Sequence, residues 1–195
     1  MKLKVCGITN EADALAAAQA GVDYLGYVIN YTVSPRFIAP ATATHIVQRV
    51  KHLYPTVKHV AVLVSPTTLF LNELAGLPFD LFQVYGDVPQ TSVPIWKSVI
   101  VRDEQDIVLI QNTSDQVAAI HCDAGFGSGQ TIPHDILRQL KVKKPLVIAG
   151  GITINNVKEI IDLCHPAVVD VNSGVETVPG KKDIKKIYAL RQLIF

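Results

Sequence analysis

Two residues of the sequence could transfer protons, and each lies near the end of a different predicted strand. Cys6 lies near the end of the apolar run 3–8, and Asp123 follows the apolar run 117–122 and precedes a glycine-rich turn. A thiolate can act as a general base and a carboxylic acid as a general acid, so the pair could support acid–base catalysis. The alternatives are ordinary: a Cys in an apolar strand is commonly a small core residue, and an Asp beside glycines commonly caps a turn.

Two short polar segments follow later apolar runs and could bind phosphate. Gly150 and Gly151 come directly after one run, and Ser173 and Gly174 come just after the next. Glycines let backbone N–H groups approach phosphate oxygens, and in α/β barrels the loops after strands seven and eight commonly hold phosphate. Each segment alone is compatible with ordinary turn chemistry, whereas the two together indicate a phosphate site.

Further polar residues lie near the ends of other runs. Arg36, in a Ser-Pro-Arg segment, carries a guanidinium that could pair bidentately with a carboxylate, although a solvated loop cation is the simpler interpretation. Asp170 and Asn172 alternate with Val169 and Val171. Alternation predicts that both polar side chains face the same interior, with Asp170 behind the reacting groups.

The neighbours of Asp123 and the remaining cysteines show weaker evidence of a functional role. If Asp123 points inward, we expect His121 to point outward, so His121 and likewise Cys122 are predicted to be structural or surface residues. Cys6, Cys122 and Cys164 are far apart, and no pair has metal-ligand or redox spacing. Widely spaced cysteines fit a reducing cytosol, so we expect a cytoplasmic protein.

Eight short apolar runs could supply the strands that position these residues. Several, such as 60–64 and 145–149, are apolar on both faces, which is typical of parallel strands covered by helices. The predicted strands are Leu3–Ile8, Tyr24–Ile29, His59–Val64, Leu81–Tyr85, Ile95–Val101, Val117–Cys122, Leu146–Ala149 and Ala167–Val171.

Helix-like segments follow most of the strands, so the sequence predicts a parallel α/β fold. The exception is 86–94, after the fourth strand, which is too short and Pro-interrupted for a regular helix. Eight strands could close into a barrel or lie as an open doubly wound sheet, and periodicity favours neither. No linker or low-complexity tract divides residues 1–195, so we expect one domain.

Composition narrows the class of protein. The chain has 195 residues, of which 49% are hydrophobic and 18% charged, and its net charge is +1. A mean hydropathy of +0.28 is typical of a compact globular domain. Scattered basic residues argue against a nucleic-acid partner. The N-terminus lacks an apolar leader, and no apolar run is long enough to span a membrane, so we expect no membrane partner.

In order and from end to end, these segments resemble the phosphoribosylanthranilate isomerase family. The segments that carry the resemblance are Lys4-Val5-Cys6-Gly7-Ile8-Thr9, Gly26-Tyr27-Val28 with Ser34-Pro35-Arg36, Asp123 to Gly129, Ala149-Gly150-Gly151-Ile152 with Asn155-Asn156-Val157, and Asp170 to Glu176 with Pro179 to Asp183. The chain departs from the family in three places: Tyr85 stands where the family usually has His, Asn30 to Val33 replaces a more apolar, lysine-bearing stretch, and the sixth loop is shorter and carries Phe126-Gly127-Ser128.

The resemblance implies a single-domain (β/α)₈ TIM barrel and an Amadori rearrangement in L-tryptophan biosynthesis. N-(5-phosphoribosyl)anthranilate would become 1-(2-carboxyphenylamino)-1-deoxyribulose 5-phosphate, with neither a redox nor a metal cofactor. Asp123 would be the general acid and Cys6 the general base. Arg36 would hold the anthranilate carboxylate, and the phosphate would lie on the four residues Gly150, Gly151, Ser173 and Gly174. The partner is then a small phosphorylated substrate, and the protein a monomer or homodimer.

Three other functions remain open on the sequence. The first is a phosphate-ligand-binding barrel, non-catalytic or of altered specificity, which would need neither Cys6 nor Asp123. The second is a related barrel isomerase acting on an aminoimidazole ribonucleotide, for which we expect paired carboxylates and two phosphate sites. The third is an open-sheet redox module using Cys6, which lacks a nearby resolving cysteine.

Overall fold

The strands of the chain close into a parallel barrel. The structure is a computed structural model that describes residues 1–113, 116–125 and 129–195. The barrel strands are β1 Lys2–Val5, β2 Tyr24–Val28, β3 Lys58–Val64, β4 Leu81–Tyr85, β5 Ile95–Ile100, β6 Ala119–Asp123, β7 Leu146–Ile148 and β8 Val168–Val171. Each strand pairs with the next, and β8 pairs with β1. The barrel is therefore confirmed, and the open sheet is excluded.

Helices connect the strands and cover the outside of the barrel. Those in the described part of the chain are α1 Glu11–Gln19, α2 Pro40–Leu53, α3 Thr68–Ala75, α4 Glu104–Gln111, α5 His134–Gln139, α6 Val157–Cys164 and α7 Ile184–Ile194. Side chains cap several N-termini, as where Asn10 accepts a hydrogen bond from the N–H of Asp13. Residues 86–94, all of them described, contain no helix, which confirms the predicted irregular connection between β4 and β5.

Apolar side chains form two layers, one on each face of the sheet. In β3, Ala61 and Leu63 pack in the outer layer between sheet and helices. The alternate residues Val60 and Val62 pack in the inner layer, inside the barrel, with Trp96 from β5. Burial on both faces explains why these runs lack a polar alternation.

A small hairpin follows β8 and was not predicted. It comprises a 3₁₀ turn at Ser173–Val175 and the antiparallel strands β9 Glu176–Val178 and β10 Lys181–Lys182. Hydrogen bonds tie it to the segment that follows β1: Thr9 Oγ1 donates to the carbonyl of Gly180 at 2.6 Å. The hairpin thus lies at the carboxyl ends of the strands.

The Phe126-Gly127-Ser128 segment of the sixth loop lies outside the described residues. Over the described ranges, none of the helices has the length and apolar character needed to cross a bilayer.

Candidate active site

The predicted site residues meet at one cavity, where the carboxyl ends of the strands open. The cavity has a volume of about 290 Å³. Seven residues singled out from the sequence line it: Cys6, Arg36, Asp123, Gly150, Gly151, Ser173 and Gly174. Apolar side chains such as Val28, Val62 and Val64 form part of the remaining wall. A cavity with a few converging polar groups on an apolar wall is the usual form of a small-molecule site.

Four strands each contribute two polar or reactive inward-facing residues near their ends. Residues two apart on a strand share a face, so each pair lies one above the other along the barrel wall. The pairs are Lys4 with Cys6, Gln83 with Tyr85, His121 with Asp123, and Asp170 with Asn172. In two of the pairs the deeper member contacts the member nearer the mouth: Lys4 contacts Cys6, and Gln83 contacts Tyr85.

Lys4 is a fully buried cation beneath the cavity. Its Nζ donates to Oδ2 of Asp170 at 2.6 Å and to Oε1 of Gln83 at 2.8 Å. Burial acts to lower the pKa of Lys4, but Asp170 and Cys6 outweigh it and hold the pKa above its ordinary value. Burial likewise acts to raise the pKa of Asp170, but Lys4 and His121 hold it below its ordinary value. Both groups are therefore charged.

Cys6 lies beside the Lys4 ammonium. A Cβ atom placed on Gly26 would lie 2.9 Å from Sγ of Cys6 and 3.1 Å from Nζ of Lys4, so only a glycine leaves room for the two groups. Burial raises the pKa of the Cys6 thiol, and the cations of Lys4 and Lys182 oppose that rise. The thiolate in this site therefore depends on neighbouring positive charge.

Asp123 is held by two hydrogen bonds at the end of β6. Its Oδ2 accepts from the hydroxyl of Tyr85 at 2.9 Å, and its Oδ1 accepts from the N–H of Gly125 at 3.2 Å. Burial, together with the adjacent Asp123 carboxylate, raises the pKa of Tyr85 well above its ordinary value. The Tyr85 hydroxyl therefore keeps its proton and remains a donor.

The predicted orientation of His121 is wrong. His121 is buried with its Nε2 atom 3.0 Å from Oδ2 of Asp170 and its Nδ1 atom 3.1 Å from Oγ of Ser98. Because His121 and Asp123 are two residues apart, they share the inward face of β6. The Nε2–H tautomer satisfies both contacts, since a carboxylate can only accept. Cys122, between them, is buried in the outer apolar layer, in agreement with its structural assignment.

Arg36 belongs to a buried cluster of ionic groups at the edge of the cavity. Its Nε and Nη2 atoms donate to the carboxylate of Glu176, with Nη2 at 2.7 Å from Oε2. Lys182 Nζ reaches Oε1 of the same carboxylate at 2.7 Å. Two cations thus share one carboxylate, which leaves net positive charge, and Nη1 of Arg36 has no partner in the described part of the chain. A ligand carboxylate can bind there.

Backbone groups of the last two loops face the same cavity. Gly150 and Gly151 have φ angles of +93° and +55°, and a Cβ on Gly151 would lie 2.6 Å from the carbonyl oxygen of Gly129. Within the described residues, the N–H groups of Gly150 and Gly151 donate to no protein acceptor. The 3₁₀ turn that begins at Ser173 lies beside them, since a Cβ on Gly174 would collide with the carbonyl oxygen of Ile152. This arrangement suits a phosphate, which needs several N–H donors.

Several functional neighbours were missed in the sequence: Lys4, Gln83, Glu176 and Lys182. Lys4 and Gln83 could have been predicted, because each lies two residues before a candidate residue, Cys6 or Tyr85, and therefore shares its face of the strand. Glu176 and Lys182 could not be found that way, because the hairpin that brings them to Arg36 has no periodic pattern. Among residues 1–113, 116–125 and 129–195, no three His, Cys, Asp or Glu side chains cluster as a metal site requires.

Comparison with known proteins identifies the family of the chain. The model of the family described as N-(5'phosphoribosyl)anthranilate (PRA) isomerase matches residues 3–192. The N-(5'-phosphoribosyl)anthranilate isomerase of Pelobacter propionicus is 37% identical over 198 residues, covering 96% of this chain and 92% of that protein. The crystal structure of phosphoribosyl anthranilate isomerase from Thermotoga maritima matches with a TM-score of 0.85 and 29% identity, covering 99% of this chain and 98% of that one.

A further solved structure contains a ligand. It is a phosphoribosyl anthranilate isomerase in complex with reduced 1-(o-carboxyphenylamino)-1-deoxyribulose 5-phosphate, and it matches with a TM-score of 0.84 and 30% identity. The match covers 98% of this chain and 97% of that one. Since the family model covers nearly the whole length and the barrel is shared, the chain belongs to the N-(5'-phosphoribosyl)anthranilate isomerase family.

Proposed function

We propose that this chain isomerises N-(5-phosphoribosyl)anthranilate to 1-(2-carboxyphenylamino)-1-deoxyribulose 5-phosphate, a step of L-tryptophan biosynthesis. The observation that carries the proposal is the presence of a thiol and a carboxyl group, Cys6 and Asp123, on the wall of one cavity that also holds a cationic cluster and glycine-rich loops. The substrate has the matching groups: a carboxylate, an aromatic ring, a sugar and a phosphate.

Two anchors orient the substrate in this proposal. The anthranilate carboxylate binds Nη1 of Arg36, whose orientation is fixed by Glu176. The phosphate accepts hydrogen bonds from the backbone of Gly150, Gly151 and Gly174 and from the hydroxyl of Ser173. Fixing both ends of the molecule places the sugar between acid and base and lowers the entropic cost of reaching the transition state.

Asp123 is the general acid of the first step. It transfers a proton to the furanose ring oxygen, the bond between that oxygen and C1′ breaks, and the nitrogen lone pair forms the C1′=N bond of an iminium ion. Asp123 lines the cavity, and its Oδ2 atom accepts a hydrogen bond from the Tyr85 hydroxyl at 2.9 Å. Acid catalysis of this kind contributes roughly 10²- to 10⁴-fold to a rate.

Cys6 is the general base of the second step. Its thiolate removes the proton from C2′, and the electron pair of that C–H bond moves towards the iminium nitrogen to give an enolamine, which tautomerises to the ketone. The positive charge of the iminium ion adds to that of Lys4 and Lys182, so the thiolate is most favoured when the intermediate is present. Asp170 supports Lys4, and its buried Oδ1, which lacks a partner among the described residues, can accept from a sugar hydroxyl.

Cellular setting and assembly form part of the same proposal. The enzyme acts in the cytoplasm, in keeping with the free cysteines Cys6, Cys122 and Cys164. Every group assigned a role comes from one chain, so a monomer is sufficient for catalysis and a homodimer would contain two complete sites.

Complementation tests the proposed function. Expression of the chain in a bacterial tryptophan auxotroph that lacks this isomerase should restore growth without tryptophan, whereas the empty vector should not. The protein could instead be expressed and folded, fail to restore growth, and still bind reduced 1-(o-carboxyphenylamino)-1-deoxyribulose 5-phosphate, the reduced product. That result would identify a phosphate-ligand-binding homologue.

A further inference from the structure

A chain of hydrogen bonds runs from Lys4 to Asp123 along the inside of the barrel. Lys4 Nζ donates to Oε1 of Gln83 at 2.8 Å, and Nε2 of Gln83 donates to the hydroxyl oxygen of Tyr85 at 3.4 Å. The Tyr85 hydroxyl then donates to Oδ2 of Asp123 at 2.9 Å. All four residues are buried, with exposures of 8% or less, which reduces the competition of water for these bonds.

The direction of this chain follows from the chemistry of its first member. An ammonium group can only donate, so the carbonyl oxygen of the Gln83 amide must face Lys4. The amide nitrogen must then face Tyr85, whose oxygen accepts its hydrogen bond. The single proton of the Tyr85 hydroxyl is left to point at Asp123. We infer that Tyr85 is a positioning residue, which holds the carboxyl group of Asp123 through a hydrogen-bond chain whose direction Lys4 sets.

The geometry of β4 explains how Tyr85 reaches Asp123. Gln83 and Tyr85 are two apart and share the inward face, and Tyr85 is paired with Ser98 of β5, whose neighbour across the next ladder is His121. The Tyr85 ring meets the His121 ring edge to face, with centroids 6.0 Å apart. His121 thus fixes the ring of Tyr85, and the hydroxyl extends past it to Asp123.

The kinetics of Tyr85→Phe test the inference. Because this experiment measures turnover, it rests on the proposed isomerase function. We expect kcat to fall roughly 10- to 100-fold with KM changed by less than about two-fold, because the ring remains while the bond that orients the acid is lost. Tyr85→His should recover most of the lost kcat, since an imidazole N–H can also donate to Asp123. Unchanged kcat in Tyr85→Phe overturns the inference.

Tyr27→Phe is the matched control. Tyr27 is also buried, and its hydroxyl lies 3.0 Å from Nδ1 of His59, but neither residue lines the cavity. This variant loses a buried hydrogen bond without touching the acid, so it should lower the melting temperature and leave kcat within about two-fold. An equal fall of kcat in Tyr27→Phe and Tyr85→Phe would reduce Tyr85 to a stabilising role and overturn the inference.

A spectroscopic measurement is independent of turnover. In protein labelled with ¹³C at the tyrosine Cζ position, the Tyr85 signal is the one that Tyr85→Phe removes. We expect Asp123→Asn and Gln83→Leu each to shift this signal, and the Tyr27 signal to stay unchanged. If wild-type protein is inactive but the signal shifts, the proposed function fails and the hydrogen-bond chain stands; a Tyr85 signal insensitive to Asp123→Asn overturns the inference whatever the activity.

Discussion

The ammonium of Lys4 and the carboxylate of Asp170 form an ion pair, 2.6 Å between Nζ and Oδ2, inside the barrel, with side-chain exposures of 0% and 4%. Charges removed from water in this way must be paired, because an isolated buried charge is strongly destabilising. The pair joins β1 to β8, where Lys4 and Asp170 are direct partners in the ladder. It therefore lies where the barrel closes and directly below Cys6.

Lys4→Met should reduce both stability and turnover. The substitution leaves Asp170 buried without its cation, which costs about 3–5 kcal/mol in the free energy of unfolding. The double variant Lys4→Met/Asp170→Leu should recover most of that stability but not turnover, since Cys6 has still lost its neighbouring cation. Lys2→Met, an exposed lysine on the same strand, is the control and should change stability by less than about 1 kcal/mol. Urea titration measures stability; a full recovery of turnover in the double variant would contradict this role of Lys4.

The same ion pair predicts how stability depends on pH. The pKa of Asp170 is lowered, so its contribution is present above the ordinary Asp value of 3.8 and is lost as pH falls through the folded value. The pKa of Lys4 is raised, so its contribution is full below the ordinary Lys value of 10.5 and is lost as pH rises through the folded value. The pair thus contributes constant stability between these limits. Urea midpoints of wild type and double variant should run parallel there, and in acid the wild-type midpoint should fall relative to that of the double variant, which has no ion pair to lose; divergence at neutral pH would count against the assignment.

Alkylation of Cys6 should be slow at neutral pH and accelerate with pH. Burial raises the pKa of Cys6 despite Lys4 and Lys182, so the thiolate, which is the nucleophile, is a minor species that grows about tenfold per pH unit. Iodoacetamide labelling, followed peptide by peptide in a mass spectrometer, should show this slope between about pH 6.5 and 8.5, and reduced product should block it. Cys122, whose pKa burial raises to about 12, serves as the internal control and should remain unlabelled. A rate at Cys6 that is independent of pH would show that the thiolate is already the main form.

Arg36→Ala should weaken substrate binding more than it slows turnover. Loss of a charged hydrogen-bond donor to the substrate carboxylate should raise KM about 10- to 100-fold. Arg36→Lys should not restore binding, because an ammonium cannot bridge Glu176 and a ligand as the planar guanidinium does. Arg49→Ala removes an exposed arginine that pairs with Glu11, and it should leave KM unchanged. Steady-state kinetics with KM and kcat both unchanged in Arg36→Ala would exclude Arg36 from the carboxylate site.

Inorganic phosphate should inhibit the enzyme by competing with substrate, and Gly174→Ala should weaken that inhibition. A Cβ at Gly174 would collide with the carbonyl oxygen of Ile152, so the 3₁₀ turn must move away from the phosphate. Ser173→Ala removes one hydroxyl and should raise the inhibition constant about 3- to 10-fold. Gly76→Ala is the control, since its Cβ would lie 3.7 Å from the nearest atom and far from the cavity. Inhibition constants that are equal in Gly174→Ala and wild type would remove this loop from the phosphate site.

Much of the fold follows from local pattern in the sequence. Runs such as 60–64 are apolar on both faces because one face packs inside the barrel and the other beneath helices. Closure of the sheet could not be predicted from the same pattern, because the pairing of β1 with β8 joins residues more than 160 positions apart, as in the Lys4–Asp170 contact.

The sequence predicts several residues of the candidate site but not the contacts between them. Cys6 and Asp123 stand at strand ends, and the position of a strand end is a local property. The contacts beneath them depend on which strands are adjacent. A lysine in a strand ordinarily predicts an exposed side chain, and only the approach of Asp170 makes burial of Lys4 favourable. The prediction for His121 assigned its side chain to the wrong face of β6. Because His121 and Asp123 are two residues apart, alternation places both side chains on the same face.

The most direct test of the acid–base assignment follows the loss of anthranilate-type fluorescence after freshly generated phosphoribosylanthranilate is mixed with protein. Wild type and the control Cys164→Ala, whose thiol lies outside the cavity, should both show rapid decay. Cys6→Ala and Asp123→Asn should show only background decay while still binding reduced product. Near-wild-type decay in either of those variants would contradict the assignment of that residue, and background decay in folded wild type would contradict the isomerase itself.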